Sequence, residues 1–331
     1  RVVRPRADQI QLENTKVRER ALLPQGETHI DRELIAAMPA GNGDITSLLR
    51  SHPNVQFDDD QLSSKTPGEI SPANISINGA AFYQNAFLVD GINMNNDIDP
   101  AADASPYRLD SVPGGAQALA LDTNLLEDIT VLDSNISAAY GGFNGGVVDA
   151  TTRRPSRTLS GSVSTQMARS EWTRCHLNGD IADSYNKASS YNDGQPEFKK
   201  EITRATLEGY VTDTVGLLAS VTRKRSTIPS YFYSSHLVDT YGAQKETQRR
   251  ASDNVFVKAV WEASDRLDLD ASVTYAPSEN HYFRSNSADG ALDIDSGGLQ
   301  AQVKANWQAN WGRVQHQLSW SDTEQSRQAD A

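Results

Sequence analysis

The chain has 331 residues, with 31 Lys and Arg against 43 Asp and Glu, giving a net charge of −12. So acidic a protein is a poor partner for a nucleic-acid backbone, and its single cysteine, Cys175, excludes an internal disulfide framework. No run approaches the ~18 apolar residues of a transmembrane helix, but a mean hydropathy of −0.56 does not exclude the membrane, because barrel strands alternate lipid-facing and lumen-facing residues.

The length allows two domains. The sequence opens without a methionine or a signal peptide, so an exported protein would be seen here after processing or trimming. Arg1, Arg4, Arg6, Lys16, Arg18 and Arg20 make the first stretch basic, which reads as a solvated arm. Within it Ile10 to Val17 alternates and reads as extended. Two short helical patterns follow. Thr28 or Asp31 caps Ile30 to Met38, and Pro39 ends it; Asp44 caps Ile45 to Ser51, and His52-Pro53 stops it. Asp58, Asp59 and Asp60 are adjacent and do not converge on one face, so a solvated loop is expected there rather than a cation site.

From Asn74 to Asn93, two apolar-alternating runs flank the tip Phe82-Tyr83-Gln84-Asn85. This reads as a pair of strands around an exposed loop. Asp90 follows Phe87-Leu88-Val89, and its carboxylate is expected to turn onto backbone N–H groups or a basic partner. Asn95 to Leu121 is polar, with Pro100, Pro106, Pro113 and Gly114-Gly115, and reads as a long irregular segment. Asp97-Ile98-Asp99 lacks the glycine and terminal glutamate of a calcium loop. Leu126 to Val131 is a strand, and a glycine-dense turn with Gly141, Gly142, Gly145 and Gly146 leads to another. Glycines there supply φ > 0 or a close approach of two backbones.

Two of these runs carry a resemblance. Leu88-Val89-Asp90-Gly91-Ile92, and the run from Glu127 through Tyr140-Gly141 and Gly145-Gly146-Val147 to Thr152, resemble in order and spacing the plug domain of TonB-dependent outer-membrane receptors. Many members have Arg-Gly where Asn78-Gly79 stands, and Arg-Gly-Pro where Leu132-Asp133-Ser134 stands, so the chain resembles a divergent branch. The resemblance implies an N-terminal extension over residues 1–20, a plug over 21–155 and barrel strands over 156–331. It implies that Ile10, Gln11, Leu12 and Glu13 belong to a TonB box that pairs as an edge strand with the TonB–ExbB–ExbD energy-coupling complex; the same segment also reads as the plug's first strand. It places ligand contacts on Phe82, Tyr83, Gln84 and Asn85, and on Asn93, Asn95 and Asn96. Asp90, Gly91, Tyr140 and the four turn glycines are expected to be structural. The tips lack Lys and Arg, which favours a neutral or amide-rich small ligand, a peptide or glycan, over a bare polyanion.

After Pro155 the strands lengthen. Leu159 to Ala168 is a weak first one. Three pairs follow, around Asp213, around Ser264-Asp265 and around Gly312-Arg313, with apolar residues at every second position, as in Leu299, Ala301, Val303, Ala305 and Trp307. The turns are short, and the segments between pairs, about 171–201, 226–250 and 277–297, are long and polar. Unequal connections of this kind are the habit of a transmembrane barrel in lipid and lipopolysaccharide. Trp172, Tyr210, Trp261, Tyr275 and Trp311 fall near strand ends, where an aromatic girdle sits. About seven strands are countable, fewer than the even closed set of a barrel, so the chain is expected to be the N-terminal portion of a longer protein. The fold class expected is therefore a mixed α/β plug followed by antiparallel transmembrane barrel strands, with the barrel incomplete.

The six histidines form no metal-spaced pair, and no nucleophile elbow or Walker loop is present. No enzyme, cofactor or metal is expected. Energised uptake of a scarce ligand, a siderophore, peptide or glycan, is the leading reading. A surface binding or adhesion barrel without transport, and a soluble periplasmic glycan-binding β protein, stand beside it. A heat-modifiable gel shift in detergent separates the barrels from the soluble protein.

Overall fold

The computed structural model describes residues 26–39, 41–57, 65–98, 114–189, 194–287 and 290–329. The segment Ile10–Glu13, the three aspartates at 58–60, and Asp99 with the prolines at 100, 106 and 113 lie outside the described residues.

The first unit is built on a mixed sheet. β1 (Glu27–Asp31) leads into α1 (Arg32–Ala37). Asp31 caps α1 by accepting from the Leu34 N–H at 2.9 Å, and Pro39 cannot continue the helix. The run after Asp44 is a 3₁₀ helix, Thr46–Ser51, not an α-helix. The Asp44 carboxylate accepts from the Ser47 N–H and from the Thr46 and Ser47 hydroxyls, which holds the turn tight. β2 (Val55–Phe57) pairs with β3 (Ile75–Ile77) in a small sheet of their own. β4 (Ala86–Val89) pairs antiparallel with β5 (Ile92–Asn93) and parallel with β7 (Val147–Thr152), while β6 (Leu126–Leu132) lies between β1 and β7.

Two readings are corrected here. The strands on either side of Phe82–Asn85 do not pair with each other; they belong to different sheets. Leu88 to Ile92 is not one strand but a hairpin. Asp90 and Gly91 sit at φ 51 and 81, and a two-residue turn with both φ positive matches the twist of the strands it joins. Asn78-Gly79 repeats the device at φ 55 and 78, and the Ala80 N–H closes onto the Ile77 carbonyl at 3.2 Å.

The plug core is apolar and closed. Leu48, Leu49, Ile75, Ile77, Phe87, Ile129, Val131 and Val148 are buried, and Leu218, Phe256 and Ala276 from the second unit complete the same cluster.

The second unit is one antiparallel sheet: β8 (Ser160–Arg169), β9 (Lys199–Tyr210), β10 (Val215–Tyr231), β11 (Lys245–Ser264), β12 (Leu267–Tyr275), β13 (Ser278–Phe283), β14 (Ala291–Ala309) and β15 (Gly312–Ala329). β12 and β13 both pair with β11 and with β14, so they are two halves of one strand broken at Ala276-Pro277. Among the described residues β8 and β15 do not pair with each other, so the sheet is open. The strands outrun the expectation: β10, β11, β14 and β15 have 17, 20, 19 and 18 residues, well beyond the ~9–11 that cross a bilayer. Their far halves carry polar residues on both faces, such as Arg223, Lys224 and Arg225, so the alternation that marks a strand disappears while the pairing continues. The connections after β10 and β13 are accordingly shorter than expected, while the one between β8 and β9 keeps about its expected length; α2 (Gly179–Asn186) lies in that long connection and α3 (Val238–Tyr241) in the one after β10.

The two faces of this sheet are inverted relative to a soluble sandwich. Leu207, Leu217, Val221, Val255, Val257, Val273, Val303 and Leu318 point outward and are exposed. Ser220, Thr222, Lys224, Arg250, Asn254, Lys258, Gln300 and Gln302 point inward and are buried. A continuous apolar band on the outside is stable only against lipid. Trp261, Trp307 and Trp311 are exposed at the short-turn end of this band. Tyr210 does not join the girdle: its phase in β9 turns it inward, where its hydroxyl donates to Glu262 at 2.7 Å and Arg157 stacks on its ring. Trp172 also departs from it, lying in a 3₁₀ turn after β8.

Of the four turn glycines, Gly142 has φ 74. At Gly145 a Cβ would lie 2.2 Å from Asn85 Oδ1, and at Gly146 2.7 Å from Ile77 Cγ2 and 2.8 Å from the Leu132 carbonyl oxygen. Gly141 has open space around it and no positive φ, so nothing in its surroundings requires glycine. Gly146→Val and Gly142→Val should each reduce the yield of protease-resistant full-length protein in the membrane several-fold, whereas Gly141→Val should leave it unchanged. Limited proteolysis of membranes checks this.

Candidate functional site

The site is the junction between plug and inner wall, because there the polar face of the sheet must find partners. Three charge pairs, each with at least one well-buried member, join the two units along β9 to β11. The Arg153 guanidinium donates to Glu208 and, through Nε, to the Asn124 carbonyl at 3.0 Å. Arg204 Nε donates to Asp122 at 2.7 Å. Arg250, fully buried, donates from Nε and Nη2 to the two Glu69 oxygens at 3.0 Å each and lies 3.7 Å from the centre of the Tyr282 ring. Glu69 also accepts from Gln195 Nε2 at 2.7 Å, and Gln195 Oε1 accepts from the Gly68 N–H. Gln195 lies on the long connection between β8 and β9, so residues 65–69 face the long-loop end. Charge-assisted bonds of this kind are the strong ones, and removing one partner from a buried pair costs roughly 3–5 kcal/mol.

Asp90 links the plug core to the wall. Its carboxylate accepts from the Thr152 N–H at 2.9 Å and from the Thr152 hydroxyl. Lys258 donates to that same hydroxyl at 2.8 Å and lies 3.9 Å from the carboxylate.

Toward β14 and β15 the junction changes character. Here single neutral amides hold the plug, while on β12 Asp270 accepts from Arg154 at 3.1 and 3.2 Å and Asp268 lies 3.6 Å from the same guanidinium. Gln302 and Gln317 donate to the Asp90 carbonyl at 3.0 and 3.1 Å, Gln300 to the Asn93 carbonyl at 3.1 Å, and Asn96 to Gln325 at 3.3 Å. Two clefts open at the junction, with walls from β10 and β11 as well as from β12 to β15. One, of about 110 Å³, lies toward the long loops; Asn74, Asn96, Lys224, Asn280, Tyr282 and Gln325 are among its walls. The Asn280 Oδ1 is buried and has no partner among the described residues. The other, of about 500 Å³, lies toward the short turns, with Arg32, Asp90, Arg154, Lys258, Asp270 and Lys304 around it.

The seven tip residues expected from the sequence do not form one face. Phe82, Tyr83 and Gln84 make a 3₁₀ turn; the two rings meet edge to face at 5.4 Å and Tyr83 is exposed. Asn85 is a correction: it is fully buried. Its amide donates to the Ile75 and Phe82 carbonyls and its oxygen accepts from the Gly146 N–H, so it is a brace with no surface left for a ligand. Asn95 is committed in the same way, accepting from the Phe87 N–H at 2.7 Å and donating to the Asn85 carbonyl at 2.6 Å. Asn93 accepts from the Asn95 N–H and donates to Asp97. Asn96 alone of the seven lines a cleft. The sequence reading missed Glu69, Asp122, Gln195, Arg204, Glu208 and Arg250. Strand phase carried a signal for Arg204 and Glu208, since each falls between outward apolar or small positions; Arg250, beside Arg249, carried none.

Comparison with known proteins follows the same lines. Residues 20–148 match the family described as TonB-dependent Receptor Plug Domain. A protein of Escherichia coli, YddB, is 31% identical over 297 residues, spanning 89% of this chain and 37% of its own length. The crystal structure of that outer membrane transporter superposes with a TM-score of 0.80 at 30% identity, over 92% of this chain and 40% of the other. The TonB-dependent transporter Oar of Myxococcus xanthus is 28% identical over 140 residues, 41% of this chain and 11% of Oar. The ferric enterobactin receptor of Pseudomonas aeruginosa shares the fold at 14% identity, with a TM-score of 0.60 over 91% of this chain and 41% of that one. The chain thus spans well under half the length of the relatives it matches.

One titration in the plug is testable. Tyr140 donates to Asp149 at 3.0 Å. Burial holds the Asp149 carboxyl above the usual range; the Tyr140 bond opposes this, and Asp128 and Asp90 add to it. A raised folded pKa means that the protonated form is favoured by folding. Its stabilisation is full below the ordinary value of about 4 and is lost as pH rises through the folded value. Asp149→Asn cannot ionise. It should raise the thermal midpoint of the full-length protein at pH 7, and the gap to wild type should close toward pH 4.

Proposed function

The chain belongs to the TonB-dependent receptors of the Gram-negative outer membrane, and from that premise we propose that it forms the gated entrance of an energised uptake receptor. The observation that supports this most is the inverted sheet: apolar outward, polar inward, with the inner charges neutralised by a folded plug. A soluble glycan-binding protein has no use for an exposed apolar band of this extent. An adhesion barrel needs a surface, but it does not need a plug held to the wall.

In this reading residues up to 155 are the plug and those from 156 the wall. Energy coupling runs through strand addition at Ile10–Glu13 by the TonB–ExbB–ExbD complex. The ligand meets Phe82, Tyr83 and Gln84 on one side and Asn96 with its cleft on the other, while Asn85, Asn93 and Asn95 hold these in place. Aromatic faces, amides and an unpartnered Asn280 oxygen suit a neutral ligand rich in amide or hydroxyl groups, a short peptide or glycan. Lys224 at the cleft wall admits one negative charge.

Uptake of labelled oligopeptides and oligosaccharides by cells with the full-length receptor tests this. A ligand should be found whose entry stops when the proton motive force is collapsed. Tyr83→Ala and Asn96→Ala should each weaken its binding by about tenfold, the worth of roughly one good contact, at unchanged surface level. Asn85→Ala should instead lower folded yield. Unchanged binding in both Tyr83→Ala and Asn96→Ala would remove the plug from the ligand site.

A further inference from the structure

The outward face of β9, β10 and β11 is framed on both sides, by β8 at one edge and by β12 and β13 at the other. Register aligns its residues in rows across the sheet. Val163, Ala205, Val221 and Val255 form the last apolar row toward the long loops. Arg223 stands in the next row, between Thr203 and Asp253. Two rows further up, Arg169, Lys199, Thr227 and Arg249 stand side by side on the four strands. Arg225, in the row between and beside Glu201, is engaged: it donates to Asp253 at 2.6 Å. Arg169 stacks on the Trp172 ring. Lys199, Arg223 and Arg249 are exposed and have no ion-pair partner among the described residues. The same face turns acidic on the next strands, where Glu279, Asp293 and Asp295 are exposed in the continuing rows. Directly below the basic rows lies a groove of about 490 Å³ in the apolar band. Small Gly161, Ala205 and Ala219 form its floor, and Leu207, Val221 and Val257 rise beside them.

We propose that this sector binds a lipopolysaccharide molecule of the outer leaflet, with its phosphates on Lys199, Arg223 and Arg249 and one acyl chain in the groove. The inference rests on the outer-membrane placement and not on transport, so loss of the uptake reading leaves it standing. Short turns of such barrels face the periplasm and long connections the exterior, which puts the basic rows at the level of the outer headgroups. Guanidinium and ammonium groups with no internal partner are free to take phosphate oxygens in charge-assisted bonds. With strands ~4.8 Å apart and ~3.4 Å per residue along them, Lys199 and Arg249 stand about 10 Å apart and Arg223 about 14 Å below their row. That spread suits a headgroup with more than one phosphate, not a single ion. The acidic rows on β13 and β14 repel phosphate and confine it to β9–β11. Below, the groove is apolar and opens only toward lipid, and its floor of small residues lets a chain lie closer to the wall than elsewhere on the band. Headgroup and chain are thus matched by one continuous patch.

Binding of bisphosphorylated lipid A, the lipid anchor of lipopolysaccharide, to the full-length receptor in detergent tests the site. The same lipid stripped of its phosphates should bind the wild type at least tenfold more weakly, a comparison that needs no variant. Lys199→Ala, Arg223→Ala and Arg249→Ala together should weaken binding of the phosphorylated lipid at least tenfold. Arg266→Ala with Arg313→Ala, exposed basic residues at the short-turn end, should not. Ala219→Phe, which fills the groove floor from the lipid side, should weaken it several-fold. A chelator of divalent cations should change nothing, because the contacts are direct. Heat-modifiable gel mobility checks that each variant is folded. Equal binding of the two lipids, or wild-type affinity in the folded triple variant, would overturn the site. Binding abolished by the chelator would overturn it in favour of the acidic strands acting through bridging cations. Wild-type affinity in Ala219→Phe would overturn the groove as the seat of the acyl chain.

Discussion

A wall that faces lipid must put its polar side inward, and the charges on that side must be matched by whatever fills the lumen. Arg204, Glu208 and Arg250 are inward residues of a sheet whose outward neighbours include Leu207 and Leu217. Left unmatched, each would be a buried charge at large cost. The plug supplies Asp122, Arg153 and Glu69 at those positions. The rest of the structure depends on that match: it fixes how the plug is seated and which of its loops meets the long connections.

The plug presents those partners because its turns are tight. Asp90-Gly91 and Asn78-Gly79 reverse the chain in two residues each with φ positive at both. The first brings the Asp90 carboxylate back onto Thr152 and Lys258 and leaves its carbonyl for Gln302 and Gln317. Asn85, Gly145 and Gly146 close the far side of the same sheet. A local device, a left-handed pair of residues, thus decides which backbone groups reach the wall, and those groups decide how firmly the plug is held there.

Much of this was legible in the sequence where one face of a strand is apolar. The pairs around Asp213, Ser264-Asp265 and Gly312 were readable because apolar residues hold every second position there, as in Val215, Leu217, Ala219 and Val221 or Leu299, Ala301 and Val303. The same strands became unreadable in their far halves, where both faces are polar and Arg223, Lys224 and Arg225 follow one another. β13 was hidden for that reason and because Pro277 interrupts it. The plug's glycine turn was visible, but the hairpin at Asp90-Gly91 was read as a strand, since the apolar run continues across it. The ligand tips were carried by resemblance alone. Sequence order cannot tell a buried brace such as Asn85 from an exposed contact such as Tyr83, because both are set by what packs over them.

The central claim is that matched charge between plug and wall holds the plug in place. Hydrogen exchange at the amides of β6 and β7 in the full-length protein measures it most directly, in Arg153→Glu, in Glu208→Arg and in the chain carrying both. If the claim holds, each single change speeds exchange by tenfold or more, and the double change restores most of the protection, because opposite charges again face each other. Wild-type protection in both single variants, or a double variant no better protected than either single one, would contradict it.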